Sequence, residues 1–205
     1  MVDKALVEDK RFAKGRLMRG RILYATLEFV GESGLSKLSA RSLAEKIGVP
    51  KANLFHHFKN MDEIKLQASL YFLTIIRPPI FEEECEDARK FLVDIQYAMA
   101  DFLVKNSTIN RGYSILCANE ARVHPDFSKY IDQRVQVNKG IVKKKLRKML
   151  GLDENNDETE ELLFSLDVIR EGVNTYITES SLKDKSLKSW EKMVDIFLEQ
   201  IEKER

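Results

Sequence analysis

Glycine and proline are scarce in this 205-residue chain, numbering 9 and 4. That leaves too few tight-turn positions for a strand-rich fold and favours long helices. Cysteine is scarcer still. Cys85 and Cys117 make neither a CxxC pair nor a metal-ligand spacing, so reduced, core-packed thiols are expected. Long apolar runs are missing as well: the longest, Leu70–Phe81, contains Arg77, Pro78 and Pro79 and is too short and too broken to span a bilayer. The opening MVDKALVEDKRF mixes acids with bases and has no apolar stretch, so no secretory signal is expected. The chain therefore reads as soluble and cytoplasmic, with no membrane partner. It also lacks HExxH, a P-loop, GxSxG, and GxGxxG in a βαβ setting. Neither an enzyme nor a cofactor or bound metal is expected.

What is present is a composition suited to a packed core, 43% hydrophobic and 33% charged. The net charge of +1 conceals an uneven distribution. Residues 1–60 carry 12 Lys and Arg against 6 Asp and Glu, while the remaining 145 carry 22 against 27. A basic head on an acidic body is the pattern of a protein whose head alone meets a polyanion.

Residues 1–15, polar and of mixed charge, read as a mobile arm. From Arg16 the pattern turns helical, with Ile22, Ala25, Thr26, Phe29 and Val30 on one face. Gly31 and Gly34 are expected to stop this helix, Gly34 in the left-handed position beyond its end. Ser39 can cap a second, short helix that ends at Gly48, with Leu38 and Leu43 placed as a hydrophobic staple. Pro50 suits the first turn of a third helix reaching about Phe58. Asn60 and Glu63 form the start signal of a fourth, which runs to Pro78-Pro79. Five more helices are expected over Glu84–Lys105, Ile109–Val123, Asp126–Leu150, Glu158–Ser181 and Asp184–Lys203. The expected fold is all-α, with a small helical head over residues 1–62 joined to a helical body over residues 63–205. The fourth helix would connect the two mechanically.

The informative segment is Leu38–Ile64, LSARSLAEKIGVPKANLFHHFKNMDEI. A helix-turn-helix needs a small residue where its helices touch and a glycine at the turn, and Ala44 and Gly48 stand four apart. Leu43, Ile47, Val49, Leu54 and Phe58 supply buried faces. Lys51, Ala52, Asn53, Phe55 and His56 are left outward near a helix N-terminus, a face able to enter the major groove. Together with RILYATLEFVGESG before it, this stretch resembles the TetR family of transcriptional regulators over about residues 16–70.

The resemblance implies a homodimer that binds double-stranded operator DNA, with an N-terminal three-helix, helix-turn-helix DNA-binding domain over residues 1–62 and a C-terminal helical ligand-binding and dimerisation domain over residues 63–205. It places Arg41 at a base or phosphate contact, and Lys51, Ala52 and Asn53 at the base-reading start of the recognition helix. Asn53 suits adenine, and the Ala52 methyl suits a thymine methyl. Ser39, His56, His57 and Lys59 become candidates for phosphate contacts. Phe55 stands where the family usually has Tyr, which removes a hydroxyl, and Met61 stands where it often has Lys.

In the body, Leu162, Leu166, Ile169, Val173 and Tyr176 step 4-3-4-3, and Leu187, Trp190, Val194, Phe197 and Ile201 step 3-4-3-4. Seams of that period can form half of a four-helix bundle with a second subunit, or face the subunit's own core. The resemblance favours the dimer, with Leu166, Ile169, Val173, Trp190, Val194, Phe197 and Ile201 at the interface. Phe91, Ile95, Met99, Phe102, Tyr113, Cys117 and Tyr130 offer adaptable apolar surface, and Asn174 and Tyr176 could orient something among them. Any one of them could be ordinary core. The resemblance implies a small, largely apolar effector there, one that releases a repressor by displacing the fourth helix. The alternative is a DNA-binding regulator of the same fold controlled by a protein partner or without a small ligand. Cys117, Glu120 and His124 share a helical face, but Pro125 and the absence of a fourth ligand argue against a metal.

Overall fold

The computed structural model describes residues 4–76, 85–153, 157–177 and 181–203. All regular structure among them is helical: α1 (Lys4–Ser33), α2 (Ala40–Ile47), α3 (Lys51–His57), α4 (Met61–Ile75), α5 (Ala88–Lys105), α6 (Ser107–Val123), α7 (Phe127–Leu150), α8 (Asp157–Ile177) and α9 (Lys183–Lys203), with one 3-10 turn at Leu35–Lys37. Pro78 and Pro79 lie outside the described residues. No described helix is long and apolar enough to cross a membrane.

The first correction concerns the N-terminus. The stretch read as an arm is the beginning of α1, which starts at Lys4 and continues unbroken. Its Ala, Leu, Glu, Lys and Arg content is helix-forming, and mixed charge does not oppose a helix as proline would. Nor does α1 stop at Gly31. It runs to Ser33, and Gly34, at φ 83°, donates its N–H to the Val30 carbonyl at 2.9 Å. Gly31 has a different role. A Cβ there would lie 1.9 Å from the Thr108 carbonyl oxygen, and one at Gly112 would lie 1.9 Å from that of Leu27. The two glycines let α1 and α6 cross backbone to backbone.

Most local start and stop signals hold, although Pro50 stands one residue before α3 and not in its first turn. Ser39 accepts from the Ser42 N–H at 3.1 Å, and the Ser39 N–H donates to Ser42 Oγ at 2.9 Å, a reciprocal cap built from two serines. Gly48 ends α2 at φ 73° and donates to the Ala44 carbonyl at 2.9 Å. A side chain at that backbone angle would be strained, which fixes glycine at the turn. Asn60 Oδ1 accepts from the Glu63 N–H at 2.8 Å, while the Glu63 carboxylate accepts from the Lys59 N–H at 2.6 Å. Asp87 caps α5 by accepting from the Lys90 N–H, and Glu84 lies outside the described residues.

The chain divides into two compact units. One comprises residues up to Ile75 together with Thr108–Asp132, and the other Ile76–Ser107 with Gln133–Arg205. The unit that holds the helix-turn-helix thus also takes in the whole of α4, nearly all of α6 and the start of α7. Its buried residues include Ile22, Leu27 and Val30 of α1, Leu43 and Ile47 of α2, Leu54 of α3, and Ile64, Ala68 and Phe72 of α4. In the second unit, Phe91, Leu92 and Ile95 of α5 pack with Leu163 and Leu166 of α8 and with Trp190, Val194, Phe197 and Ile201 of α9. A smaller cluster joins Met99, Ala100, Leu103, Ile177 and Leu187.

Here the seam expected to seat a second subunit is corrected. Trp190 and Val194 are 0% exposed, Ile201 2%, Leu166 5% and Phe197 7% within one chain, while Ile169 and Val173 are half-buried against the same core. The first five have almost no surface left to bury elsewhere, whereas Ile169 and Val173 keep some. Trp190 also donates its indole N–H to the Leu92 carbonyl at 2.9 Å, which binds α9 to α5 inside the subunit. A 3.5-residue period shows that a helix has one apolar face, not whose core that face meets.

The glycine crossing yields a paired prediction. Gly31→Ala and Gly112→Ala should each destabilise the chain by about 1–3 kcal/mol or more, because the methyl must displace a carbonyl of the neighbouring helix. Gly140→Ala in α7, where a Cβ meets nothing within 4 Å, should instead be neutral or stabilising by about 0.5–1 kcal/mol. Thermal melts of the three variants check this, and equal effects at all three sites would refute the crossing.

Candidate DNA-reading site

The helix-turn-helix separates its residues by face. Leu43 and Leu54 are fully buried, and Ala44, Ile47 and Phe58 nearly so. With these side chains turned inward, α3 presents Lys51, Ala52, Asn53, Phe55 and His56 outward, all exposed. Phe55 is 40% exposed despite its apolar ring, and the Lys51 ammonium lies 5.8 Å from the centre of that ring. Pro50 stands before α3 at φ −59°, so the first turn of the helix opens directly onto this face.

The flanking candidates differ in how they are held. Arg41 projects from the first turn of α2 and pairs with Glu45 at 2.9 Å, both largely exposed, a contact that exchanges readily with a phosphate or base. The Ser39 hydroxyl already serves the cap of α2. Lys59 is exposed beyond the end of α3. His57 is half-buried, and its pKa is lowered first by burial and then by the neighbouring His56 and Arg19 charges. A neutral imidazole at neutral pH donates one N–H to a phosphate but adds no charge. His56 and His57 meet edge to face at 5.1 Å.

Two residues outside the sequence reading hold this face in place. Arg19 of α1 donates to the His57 carbonyl at the end of α3, and its guanidinium lies 4.2 Å from the centre of the Phe58 ring. Arg21 of α1 donates to the Ile47 carbonyl at the end of α2, at 2.7 Å. Lys46 of α2 reaches back to Glu28 and Glu32 of α1, each at 2.9 Å. The links with Arg19 and Arg21 span 38 and 26 residues of sequence, so no local pattern could have disclosed them.

The residues expected to line a ligand site are divided between the two units. Tyr113, Cys117 and Tyr130 belong to the first unit, where Tyr113 stacks on Phe72 of α4 at 4.2 Å and Tyr130 is 53% exposed. Burial pushes the Cys117 thiol up to about 11, so it stays protonated and poorly suited to bind a metal. Glu120 and His124 form a pair at 3.2 Å, and no group of three metal-ligating side chains occurs among the described residues.

Phe91, Ile95, Met99, Phe102, Asn174 and Tyr176 lie in the second unit. Phe91 and Ile95 are in the large cluster, Met99 and Phe102 with the small one, and Tyr176 is 58% exposed. Asn174 accepts from Gln96 Nε2 at 2.7 Å. Gln96, absent from the sequence reading, is 1% exposed, and its Oε1 has no hydrogen-bond partner among the described residues. A polar residue at a core position is visible in a sequence, but which side of α5 is core is not. A shallow groove of about 400 Å³ along α9 is lined by Asp184, Lys185, Lys188, Ser189 and Lys192, none of them an expected ligand residue.

Residues 22–68 match the family model described as bacterial regulatory proteins, tetR family, and that range runs from α1 into α4. The sequence match to the TetR family is confined to this N-terminal stretch. No curated protein is significantly similar in sequence. Solved structures share the fold at low identity. A transcriptional regulator from Rhodococcus sp. Rha1 superposes with a TM-score of 0.70 at 18% identity, over 89% of this chain and 96% of that one. A TetR transcription regulator from Haloarcula marismortui does so with 0.68 at 17%, over 87% and 95%. MexZ of Pseudomonas aeruginosa, described as a key repressor responsible for antibiotic resistance, gives 0.66 at 18%, over 92% and 94%. The likeness covers nearly the whole of each chain, so the all-helical body as well as the head shares the fold of these structures.

Proposed function

We propose that this chain is a sequence-specific DNA-binding transcriptional regulator of the TetR family, a repressor released from its operator by a small, largely apolar ligand. Residues 1–62 do the DNA binding, and residues 63–205 the ligand binding and dimerisation. The carrying observation is the outward face of α3. Lys51, Ala52 and Asn53 stand exposed in its first turn, where backbone N–H groups and the helix dipole favour phosphate. Ser39, Arg41, His56, His57 and Lys59 surround it as backbone and base contacts. Such a protein works in the cytoplasm, where the DNA is.

A dimer brings two recognition helices to a pseudo-palindrome. With the expected seam buried inside the subunit, the second copy needs another face, and α8 has one. Phe164 is 63% exposed, Val168 54% and Tyr176 58%, and they repeat with Gly172 at intervals of four along one ridge. A Cβ on Gly172 would meet nothing within 4 Å, so a second helix can approach closely there. Ile196 of α9, 57% exposed, adds to the apolar surface of the last two helices.

The ligand reading rests on the second unit's core. Gln96 and Asn174 sit between its two apolar clusters, with Val173 packed against both. An unpaired buried acceptor costs about 1–3 kcal/mol, which a ligand donor at Gln96 Oε1 would recover.

Three outcomes test this reading. The Arg41→Ala/Lys51→Ala double variant should recover far fewer genomic DNA fragments than wild type, and Arg41→Ala alone should cost about 1–3 kcal/mol if it reads a base. Undiminished recovery by the double variant would remove the proposed reading face.

Phe164→Glu should give a folded monomer with weakened operator binding. Phe197→Glu should unfold the subunit, because it buries a charge in the core. Sedimentation combined with circular dichroism separates the two, and a Phe164→Glu dimer would exclude the α8 ridge.

Of two compounds sharing an apolar skeleton, one bearing a hydroxyl and the other its methyl ether, the hydroxyl compound should raise the melting temperature more. Gln96→Leu should abolish the difference, and by reciprocity saturating operator should weaken binding. Equal shifts from both compounds in the wild type would place Gln96 outside the ligand site.

A further inference from the structure

The basic head contains two arginines whose guanidinium groups are already committed to backbone carbonyls. We infer that Arg19 and Arg21 are positioning residues for DNA reading: α1 grips the carbonyl ends of α2 and α3 through two guanidinium groups and so fixes the angle at which the recognition helix is presented. This inference rests on the DNA-binding reading above and assigns to α1 a part in specificity.

The last carbonyls of any α-helix lack intrahelical partners and carry the negative end of the helix dipole. α2 and α3 have 8 and 7 residues, so these unpaired ends are a large fraction of each helix. Ile47 is the last residue of α2, and Arg21 Nη2 donates to its carbonyl at 2.7 Å. His57 is the last residue of α3, and Arg19 Nη1 donates to its carbonyl. Both donors come from one rigid helix, only two residues apart. A third link, from Lys46 near the end of α2 to Glu28 and Glu32, ties the same helix pair at another point.

Arg19 is further constrained by the Phe58 ring, 4.2 Å from its guanidinium carbon. Phe58 is 2% exposed, which leaves the ring no freedom to follow a moving arginine. The planar fork is thus held by a carbonyl and a ring together, a geometry that an ammonium does not reproduce. His57, carried on the same carbonyl, takes its place beside the DNA-facing side chains from this contact. A guanidinium committed in this way is not a phosphate ligand, even though it lies in the most basic part of the chain.

The two roles predict opposite responses to charge-conserving and charge-removing substitutions. The test uses the full chain and a duplex that the wild type selects from genomic fragments. Affinity for that duplex and for a scrambled one is measured over a salt series, with melting curves in parallel. For a positioning role, Arg19→Lys keeps the charge but loses the fork. Affinity for the selected duplex should fall about tenfold or more, while scrambled-duplex affinity, salt slope and melting temperature stay near wild type. Arg19→Gln should behave similarly, with an unchanged salt slope. Arg21→Lys should repeat the pattern through α2.

For a phosphate contact, Arg19→Lys would bind like wild type, and Arg19→Gln would weaken both duplexes and lower the salt slope by about one. Either result overturns the inference. So does a loss that falls equally on both duplexes in step with a lowered melting temperature, because that is a stability effect alone. If the wild type selects no duplex, the DNA-binding reading itself has failed; a wild type that selects one while Arg19→Lys matches it refutes only the positioning role.

Discussion

Two helices of 8 and 7 residues carry the reading surface, and neither is long enough to exist on its own. Isolated helices shorter than about 12–15 residues are marginal in water, so their order has to be supplied by packing. Every feature of the head answers to that constraint. Leu43, Ala44 and Ile47 anchor α2, Leu54 and Phe58 anchor α3, and α1 provides the long, straight surface against which both are pressed. The reciprocal serine cap, the left-handed Gly48 and the Asn60–Glu63 box then satisfy the polar ends that apolar burial cannot. The outward face of α3 follows by subtraction: once Leu54 and Phe58 are committed inward, Lys51, Ala52, Asn53, Phe55 and His56 have nowhere else to point.

The same economy extends through the rest of the first unit. Gly31 and Gly112 allow α1 to meet α6 at backbone distance, and the stack of Tyr113 on Phe72 joins α6 to α4. α4 follows directly on the recognition helix and is capped by residues at that junction. A contact that shifts α4 is therefore mechanically near the outward face of α3.

The second unit shows how an apolar helix can serve two masters. α8 buries Leu163, Leu166 and Ile177 in its own core and leaves Phe164, Val168 and Tyr176 exposed. An exposed apolar ridge of this kind is typical of a surface that another surface covers. The inner face is sealed by Trp190, whose indole is both fully buried and hydrogen-bonded. The Gln96–Asn174 pair interrupts the same core with polarity that its protein neighbours do not fully use.

Much of the head was legible in the sequence because its signals are local. Ser39, Gly48, Pro50 and Asn60 act within three or four residues of themselves, and the alternation of Leu43, Ile47, Leu54 and Phe58 with charged neighbours reports burial directly. The helical body was legible for the same reason, as a period in the spacing of apolar residues. The N-terminal stretch was misread because mixed charge resembles an arm although nothing in it breaks a helix. Which partner each apolar stripe meets was decided only by tertiary structure. Trp190, Val194, Phe197 and Ile201 have the spacing of an interface and the burial of a core, since a helical period encodes a face and carries no information on what lies opposite. Arg19 and Arg21 were equally silent, because the carbonyls they hold are present in every residue and only the fold brings these two within reach.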